Sequence, residues 1–439
     1  MGGLRGGKGP GGKMWLGAVE GYYGPPLAHS DRKALIEWLG THGYNCYAYA
    51  PKDDPRHRQY WREPYPPEQE AEFAELIEMG RRAGVEVGLV LSPGLDWREG
   101  DERNLIAKMR NFRDLGCVVL GVGWDDVDPG GAELGEAHGR AVAAAVEGIG
   151  DDVKWVTCPT DYSGLEVTPY LEAFSKALRP EVDIMWTGPG IVSPTVSGAQ
   201  AAHMAEGMGR KLLFAENFPV NDGAMNSVLH LGPYPRRSPD LLDETTGVFC
   251  NFMSRPLASR VGLAVAARFW MDPTVDREQA WKECLAEFPG LETLARACRS
   301  WVGDAEPDPE LVAWAELDRE GDRRLRQYLQ GDCREGLDRA LRAEVEPWLE
   351  AWDRESHAMQ LALEMLTMSP VVWAPGAFVT AELWKYAKEF AEQVFGIRFA
   401  YYPVTAQAYG TTVAAPEALV YGENLTDRLC AKALGMPGR

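Results

Sequence analysis

Two adjacent carboxylates, Asp125 and Asp126, are the residues in this sequence best suited to acid–base chemistry. They follow an apolar run that closes with Gly121-Val122-Gly123-Trp124, so we expect them at the end of a buried strand. Because like charges repel and burial disfavours ionisation, the pKa values of such a pair separate, leaving one group ionised and one protonated near neutral pH. Asp is also common in loops and helix caps that follow strands, which is the structural alternative.

The adjacency of Asp125 and Asp126 also limits the reaction they can perform. An ordinary retaining glycosidase holds two carboxyl groups about 5–5.5 Å apart on opposite sides of the scissile bond, and an inverting one needs more. Neighbouring residues of one strand reach such positions poorly. They suit a substrate-assisted reaction better, in which one carboxylate orients a nucleophile of the substrate and the other moves the proton of the leaving group.

Eight strand-like runs, most of them followed by an amphipathic helical pattern, would position this pair. The runs are Leu16–Glu20, Asn45–Pro51, Val85–Ser92, Val118–Asp126, Lys154–Thr160, Asp183–Thr187, Leu212–Asn217 and Gly247–Asn251. Eight alternating units over about 250 residues predict an α/β fold, a closed (β/α)8 barrel. A doubly wound open sheet is the alternative, but it usually has fewer strands and a glycine-rich phosphate loop, for which Gly21–Gly24 is too short and too bulky.

The ends of these runs carry acidic, amide and hydroxyl groups, and catalytic groups of a barrel collect at the C-terminal ends of its strands. Such groups suit the hydroxyls of a sugar better than a phosphate. They are Glu20, Lys52, Asp53, Asp54, Ser92, Asp125, Asp126, Thr160, Asp161, Tyr162, Thr187, Asn217 and Asn251, with Asp222 in the loop after the seventh run.

Composition and residue spacing disfavour several other classes of function. The 439 residues carry a formal charge of −20, which disfavours a nucleic-acid partner. No apolar run approaches the roughly 20 residues of a membrane span. Eight scattered cysteines without a CxxC pair indicate reduced thiols in a cytoplasmic protein, and seven histidines without HxxxH or HExxH spacing predict no metal or other cofactor.

Six short motifs, in order along residues 15–270, resemble those of glycoside hydrolase family 84. This family contains the O-GlcNAcases and bacterial hyaluronidase-like β-N-acetylglucosaminidases. The motifs are Gly17–Gly24, Tyr49–Pro55 with His57-Arg58 and Trp61–Glu63, Ser92–Asp96, Asp125-Asp126, Cys158–Tyr162 and Trp186–Gly188. The Tyr-Ala-Pro-Lys-Asp-Asp block and the Asp pair are the most specific of them.

The resemblance implies a retaining, substrate-assisted reaction on terminal β-linked N-acetylglucosamine (GlcNAc), carried by a glycoprotein, glycopeptide or oligosaccharide. The 2-acetamido oxygen would attack the anomeric carbon to give an oxazoline. Asp125 matches the residue that holds the acetamido N–H, and Asp126 matches the general acid and later base. The binding residues implied are Tyr162 and Asn217 at the acetamido group, Cys158 in the acetyl-pocket wall, and Gly21, Lys52, Asp222 and Asn251 at the hydroxyls.

Two departures from the family pattern leave other functions open. Ala215 stands where the family usually has an aromatic residue, and Gly223 stands where it often has tyrosine. Phe218 or Trp186 could fill the space beside Ala215. A GlcNAc-binding protein without activity and another GlcNAc glycosidase are therefore alternatives. A Schiff-base lyase using Lys52 is a third, although its acidic neighbours favour the charged amine.

The sequence predicts four regions: a flexible glycine-rich leader at 1–14, the barrel at 15–271, a helical bundle at 272–395 and an unassigned tail at 396–439. Helical periodicity dominates the third region. It is visible at Arg277–Phe288, Leu291–Trp301, Pro309–Gln330, Glu335–Thr367 and Phe378–Phe395. The sequence does not predict the physiological aglycone or the oligomeric state.

Overall fold

Eight parallel strands close into a barrel in the computed structural model of this protein. The structure describes residues 14–150, 152–301 and 308–367, together with Leu425 and Leu429. Residues 1–13 of the predicted leader, the helical pattern at 378–395 and the rest of the predicted tail lie outside the described residues.

The structure describes ten strands, eight of which overlap the predicted apolar runs. They are β1 (Trp15–Glu20), β2 (Cys46–Tyr49), β3 (Glu86–Leu91), β4 (Val119–Gly123), β5 (Lys154–Cys158), β6 (Asp183–Trp186), β7 (Thr195–Val196), β8 (Leu212–Glu216), β9 (Arg236–Arg237) and β10 (Thr245–Asn251). The short strands β7 and β9 pair only with each other, and the other eight pair in chain order, with β10 returning to β1. The predicted (β/α)8 barrel is confirmed, and the open sheet is excluded.

Apolar side chains, from alanine to tryptophan in size, fill the barrel interior. The inward cluster consists of Trp15, Cys46, Ala48, Ala50, Val90, Val119, Val156, Met185, Leu213 and Phe249. Side chains alternate along a strand, so Cys158 and Ala215, two residues beyond Val156 and Leu213, face the same interior. Both stand near the C-terminal ends of their strands, where a barrel places its site.

Helices cover the outside of this barrel and end at residues suited to ending them. They are α1 (His29–Thr41), α2 (Pro67–Ala83), α3 (Glu102–Leu115), α4 (Ala132–Ile149), α5 (Pro169–Ala177), α6 (Gly198–Met208), α7 (Leu241–Glu244) and α8 (Pro256–Met271). Gly84 and Gly116 follow α2 and α3 with φ of 74° and 107°, a left-handed conformation that glycine adopts without a Cβ penalty.

The chain forms two compact units. Among the described residues, the first contains 14–222 and 235–275, and the second contains 223–234 and the residues from 276 onward. The helices of the second unit are α9 (Arg277–Leu285), α10 (Glu292–Ala297), α11 (Pro309–Trp314), α12 (Arg319–Leu329) and α13 (Arg339–Thr367). The pattern at Pro309–Gln330 thus forms two helices, separated at Leu317, whose φ is 59°. None of the described helices is long and apolar enough to span a bilayer.

Residues 223–234 lie between β8 and β10 in the chain but are held by the second unit. The indole of Trp348 donates to the carbonyl of Ser227 at 2.9 Å, and that of Trp281 donates to the carbonyl of Leu231 at 2.7 Å. These two hydrogen bonds indicate that tertiary contacts, rather than a long helix of its own, stabilise this segment.

Candidate active site

The predicted site residues lie where the barrel strands end. Asp125 and Asp126 follow β4, Lys52 follows β2, and Ser92 follows β3 directly. Cys158 and Asn251 are the last residues of β5 and β10, Gly21 and Asn217 follow β1 and β8 directly, and Tyr162 and Asp222 lie in the loops after β5 and β8. Hydrogen bonds join most of these residues into three groups, one around each carboxylate of the Asp pair and one that contains Gly21, Asn217 and Asn251.

Asp125 is the carboxylate with a cationic partner. The ammonium of Lys52 donates to Oδ2 of Asp125 and, at 3.2 Å, to the hydroxyl of Ser92. Burial alone would raise the pKa of Asp125, but the Lys52 charge and hydrogen bond, with the Arg58 charge, hold it below its usual value. Asp125 is therefore ionised at neutral pH. Lys52 forms an ion pair rather than a free amine, which disfavours the lyase alternative.

Asp126 has a separate set of partners. The Tyr162 hydroxyl donates to Oδ1 at 2.9 Å, and the Tyr23 hydroxyl donates to Oδ2 at 2.8 Å. Asp126 has a φ of 60°, so the backbone leaves the extended path of β4 at this residue. The expectation that both carboxylates belong to one strand is wrong: they lie beyond it, and each is held by different groups.

Two neighbouring residues of the turn after β2, His57 and Arg58, contact groups that surround the carboxylates. Arg58 donates to the Tyr23 hydroxyl at 2.6 Å and to the backbone carbonyl of Asp126 at 3.1 Å. His57 Nε2 lies 3.2 Å from the hydroxyl of Ser92. Burial, with the Lys52 charge, lowers the pKa of His57 well below its ordinary value, so the ring is neutral. Since the Ser92 oxygen accepts from Lys52, its own proton is available to His57 Nε2.

His57, Arg58 and Tyr23 were not singled out as site residues from the sequence. The available signal was their position inside the two motifs that follow β1 and β2. A motif indicates that residues belong together, whereas their partners follow only from the way the loops fold over the barrel.

One buried lysine fixes the turn that carries His57 and Arg58. The Lys108 ammonium, on α3, donates to the backbone carbonyls of Arg56, Trp61 and Glu63 at 2.5, 2.8 and 2.8 Å. An ammonium has three donors, and here all three are used. The turn is thereby held by a side chain outside the predicted site.

The segment after β1 is held by two of the predicted hydroxyl-binding residues. The Gly21 amide donates to Oδ1 of Asn251 at 3.2 Å, and the Tyr23 amide donates to Oδ2 of Asp222 at 2.6 Å. The Asn251 amide in turn donates to Oδ1 of Asn217 at 3.2 Å. The structure therefore brings Gly21, Asn217, Asp222 and Asn251 together at one side of the barrel mouth.

Asp222 differs from Asp125 in its electrostatic surroundings. Burial raises the pKa of Asp222 to about 6, and the negative charge of Asp126 acts in the same direction. The hydrogen bond from the Tyr23 amide opposes this shift without cancelling it. Asp222 therefore changes protonation at a mildly acidic pH, while Asp125 stays ionised there.

Cys158 and Ala215 line the top of the barrel interior. Burial, with the Asp125 charge, raises the pKa of the Cys158 thiol well above its usual value, so it remains an uncharged, small side chain. Phe218 and Trp186, which could replace the missing aromatic wall beside Ala215, are 1% and 2% exposed. Both rings belong to the protein interior and present little surface to a ligand.

Two carboxylates that the sequence placed on the polar rim serve the fold instead. Glu20 is fully buried and accepts from the Arg32 guanidinium at 2.8 and 2.9 Å and from the Tyr47 hydroxyl. Asp54 is buried and accepts from the hydroxyls of Tyr49 and Tyr65 at 2.6 and 2.8 Å. Within the described ranges, no three His, Cys, Asp or Glu side chains are grouped to hold a metal ion.

Comparisons with known proteins agree on one family. The model of the beta-N-acetylglucosaminidase family matches residues 16–302. The curated "Protein O-GlcNAcase" of Rattus norvegicus and that of Mus musculus are each 30% identical to this chain over 256 residues, which cover 54% of this chain and 28% of theirs. The match thus spans less than a third of the length of these relatives.

A solved structure has a similar fold. The O-GlcNAc hydrolase of Thermobaculum terrenum superposes with a TM-score of 0.81 at 23% sequence identity, covering 96% of this chain and 94% of that one. At this identity the likeness concerns the fold. The family match, in contrast, rests on sequence and extends over more than half of the residues. The chain therefore belongs to the beta-N-acetylglucosaminidase family.

Proposed function

We propose that this protein is a retaining exo-β-N-acetylglucosaminidase that removes terminal β-linked GlcNAc by substrate-assisted catalysis through an oxazoline. The observation that carries the proposal is the separation of two adjacent carboxylates at the barrel mouth. Asp125 is paired with the Lys52 ammonium, whereas Asp126 is bonded to the hydroxyls of Tyr23 and Tyr162. Substrate assistance needs one permanently ionised carboxylate and one that exchanges a proton.

Each carboxylate then has its own role. Asp125 accepts the acetamido N–H and, being ionised, stabilises the positive charge that develops on the oxazoline. Asp126 donates a proton to the leaving oxygen and later accepts one from the incoming water. Lys52 orients Asp125 and reaches a sugar hydroxyl.

The remaining predicted residues bind the sugar. Tyr162 and Asn217 contact the acetamido group, and Cys158 forms part of its wall. Gly21, Asp222 and Asn251 hold the hydroxyls, which is supported by the hydrogen bonds that gather them on one side of the mouth. Tyr162 now donates to Asp126, so its contact with the acetamido oxygen would require a change of partner when the substrate binds.

We propose a GlcNAc-modified protein as the substrate, since the curated relatives are named for that activity. Glycopeptides and small oligosaccharides with a terminal GlcNAc present the same sugar and should also be hydrolysed. A cytoplasmic location fits this substrate and the cysteine pattern. No nucleic acid, membrane or cofactor is required for this chemistry.

The test is the hydrolysis of aryl β-N-acetylglucosaminides with leaving phenols of graded pKa. We expect Asp125→Asn to lose most activity on every substrate, because no carboxylate remains to orient the acetamido group. We expect Asp126→Asn to keep substantial activity only on the most acidic phenols, which leave without a proton. Asp53→Asn is the matched control, since Asp53 is exposed on the same turn as Lys52, and it should behave as wild type.

Two outcomes would contradict the proposal. If Asp126→Asn lost the same factor on good and poor leaving groups, Asp126 would not be the proton donor. If the wild-type protein hydrolysed none of the substrates yet bound a GlcNAc-derived oxazoline mimic, the chain would be a GlcNAc-binding protein.

A further inference from the structure

The structure connects Arg58 to the side chain of Asp126 through one intermediate group, the Tyr23 hydroxyl. We propose that Arg58 and Tyr23 form a positioning relay that holds the Asp126 carboxylate in place and sets its affinity for the proton delivered to the leaving group. This inference rests on the proposed function and concerns residues outside the predicted sugar-binding set.

The direction of the relay follows from its donors. A guanidinium has only donors, so the 2.6 Å contact requires the Tyr23 oxygen to accept from Arg58. The single proton of the Tyr23 hydroxyl is therefore left for Asp126 Oδ2, 2.8 Å away. The cation increases the polarity of the hydroxyl, so this hydrogen bond favours the ionised carboxylate.

The same arginine also fixes the backbone beneath the carboxylate. Its second nitrogen donates to the carbonyl of Asp126 at 3.1 Å. The φ of 60° at Asp126 is disfavoured for residues with a side chain, so this conformation needs support from its surroundings. Arg58 thus acts at both the main chain and the side chain of Asp126.

The second member of the relay is also held at its backbone. The Tyr23 amide donates to Asp222 at 2.6 Å, and the Arg58 guanidinium carbon lies 5.4 Å from the Tyr23 ring centre. Arg58 is 7% exposed, so water competes little with it for the Tyr23 hydroxyl and the Asp126 carbonyl. The relay is therefore set before any substrate arrives.

Several charged and titratable groups face Asp126 from the elements around it. They act on Asp126 together with the relay. They are Tyr23 after β1, Lys52 and Arg58 after β2, Asp125 after β4, Cys158 and Tyr162 of β5 and its loop, and Asp222 after β8. Within the described part of the chain, the Tyr23 hydroxyl accepts from Arg58 and donates to the carboxylate, so its removal tests the relay while leaving these charges in place.

The experiment compares wild type with Tyr23→Phe, Arg58→Met and the double variant in the pH profile of kcat/KM. Loss of a donor to the ionised carboxylate makes Asp126 hold its proton more tightly. We expect the basic limb of this profile, where activity falls as Asp126 loses its proton, to shift to higher pH by about one unit in each single variant. We expect the double variant to move by less than the sum, because Arg58 acts partly through Tyr23.

The leaving-group dependence supplies a second measurement. A carboxyl group that is poorly placed slows reactions that need its proton, so kcat should fall about 10-fold or more on poor leaving groups and little on the most acidic phenols. Tyr22→Phe is the matched control, because the Tyr22 hydroxyl donates to the Pro25 carbonyl in the same segment. It should leave both the limb and the leaving-group dependence unchanged.

Titration of carbon-13-labelled aspartate carboxyls, with Asp126→Asn identifying the signal, tests the proton affinity without activity. An unchanged Asp126 titration and an unmoved limb in Tyr23→Phe, in an active wild-type background, would overturn the relay alone. An equal effect of Tyr22→Phe would overturn it too, since a general loosening of the segment would then explain the shift. A wild type with no hydrolase activity would overturn the proposed function and the relay with it.

Discussion

His57 and Arg58 are adjacent in the chain, yet they support different members of the Asp pair. His57 Nε2 lies 3.2 Å from the hydroxyl of Ser92, which in turn contacts the ammonium that holds Asp125. Arg58 instead reaches the hydroxyl and the carbonyl that surround Asp126. One short turn therefore gives two neighbouring carboxylates different electrostatic environments, which is the condition for assigning them different roles.

The series of contacts from His57 through Ser92 and Lys52 to Asp125 predicts the effect of Ser92→Ala. Without the hydroxyl, the Lys52 ammonium loses an acceptor and is held less firmly against Asp125. The pKa of Asp125 should rise, so we expect the acidic limb of kcat/KM to move upward while the basic limb stays. The pH profile of purified variants measures this. Ser175→Ala, which removes a buried hydroxyl bonded to the Met208 carbonyl, is the control and should move neither limb.

Asp222 predicts a pH dependence of stability. Its pKa is about 6 in the folded protein against an ordinary value of 3.8, so its contribution to stability is complete below about pH 4 and is lost as the pH rises through 6. Asp222→Asn removes this dependence. We expect the Tm of the variant, relative to wild type, to be higher at pH 7 than at pH 4.

Thermal unfolding at several pH values between 4 and 7 checks this prediction. Asp53→Asn changes the same charge at an exposed position and should show no such trend. A difference between Asp222→Asn and wild type that stayed constant with pH would contradict the prediction.

Lys108 predicts a large effect on stability from a residue outside the site. Lys108→Met leaves the carbonyls of Arg56, Trp61 and Glu63 without this donor, and we expect a loss of about 2–4 kcal/mol in the free energy of unfolding. Denaturant titration measures it. Lys176→Met, at an exposed lysine paired with Glu172, should change stability little, and an equal loss there would refute the assigned role.

The small side chain of Ala215 predicts a relaxed preference for the N-acyl group. It lies on the same interior face as Cys158, near the strand ends. We expect Ala215→Tyr to reduce kcat/KM for N-butanoyl substrates much more than for N-acetyl substrates, because the ring narrows the space beside the acyl chain. Competition between the two aryl glycosides gives the ratio directly. An unchanged ratio would place the acyl group away from Ala215.

The barrel could be predicted from the sequence because each buried strand is a continuous apolar run that ends in polar residues. The run Lys154–Thr160 became a strand at Lys154–Cys158, and Leu212–Asn217 became one at Leu212–Glu216. The same regularity placed Asp125 and Asp126 at the barrel mouth. The local pattern of apolar residues was sufficient to predict these strands, because a strand that is buried on both faces accommodates mainly apolar residues.

The partners inside the site could not be predicted in the same way. Nothing in the sequence predicted that Lys52 contacts Asp125, 73 residues away. Glu20 and Asp54 lie at or beyond strand ends and carry carboxylates, as the site aspartates do, and their structural role is shown by the tyrosines and the arginine that donate to them. Such contacts depend on the conformation of the loops, which the periodicity of apolar residues does not predict.

The segment at 223–234 has a consequence for the order of events during synthesis. Ser227 precedes its partner Trp348 by 121 residues. At about 5–20 residues per second, the ribosome takes roughly 6–24 s to make that stretch. Leu229 and Leu231, both fully buried in the finished protein, lack during this time the later helices with which they form a compact unit. A nascent chain with most of its strands complete therefore still carries the apolar segment at 223–234 without its later partners. We expect chaperones to bind this segment until the later helices are made.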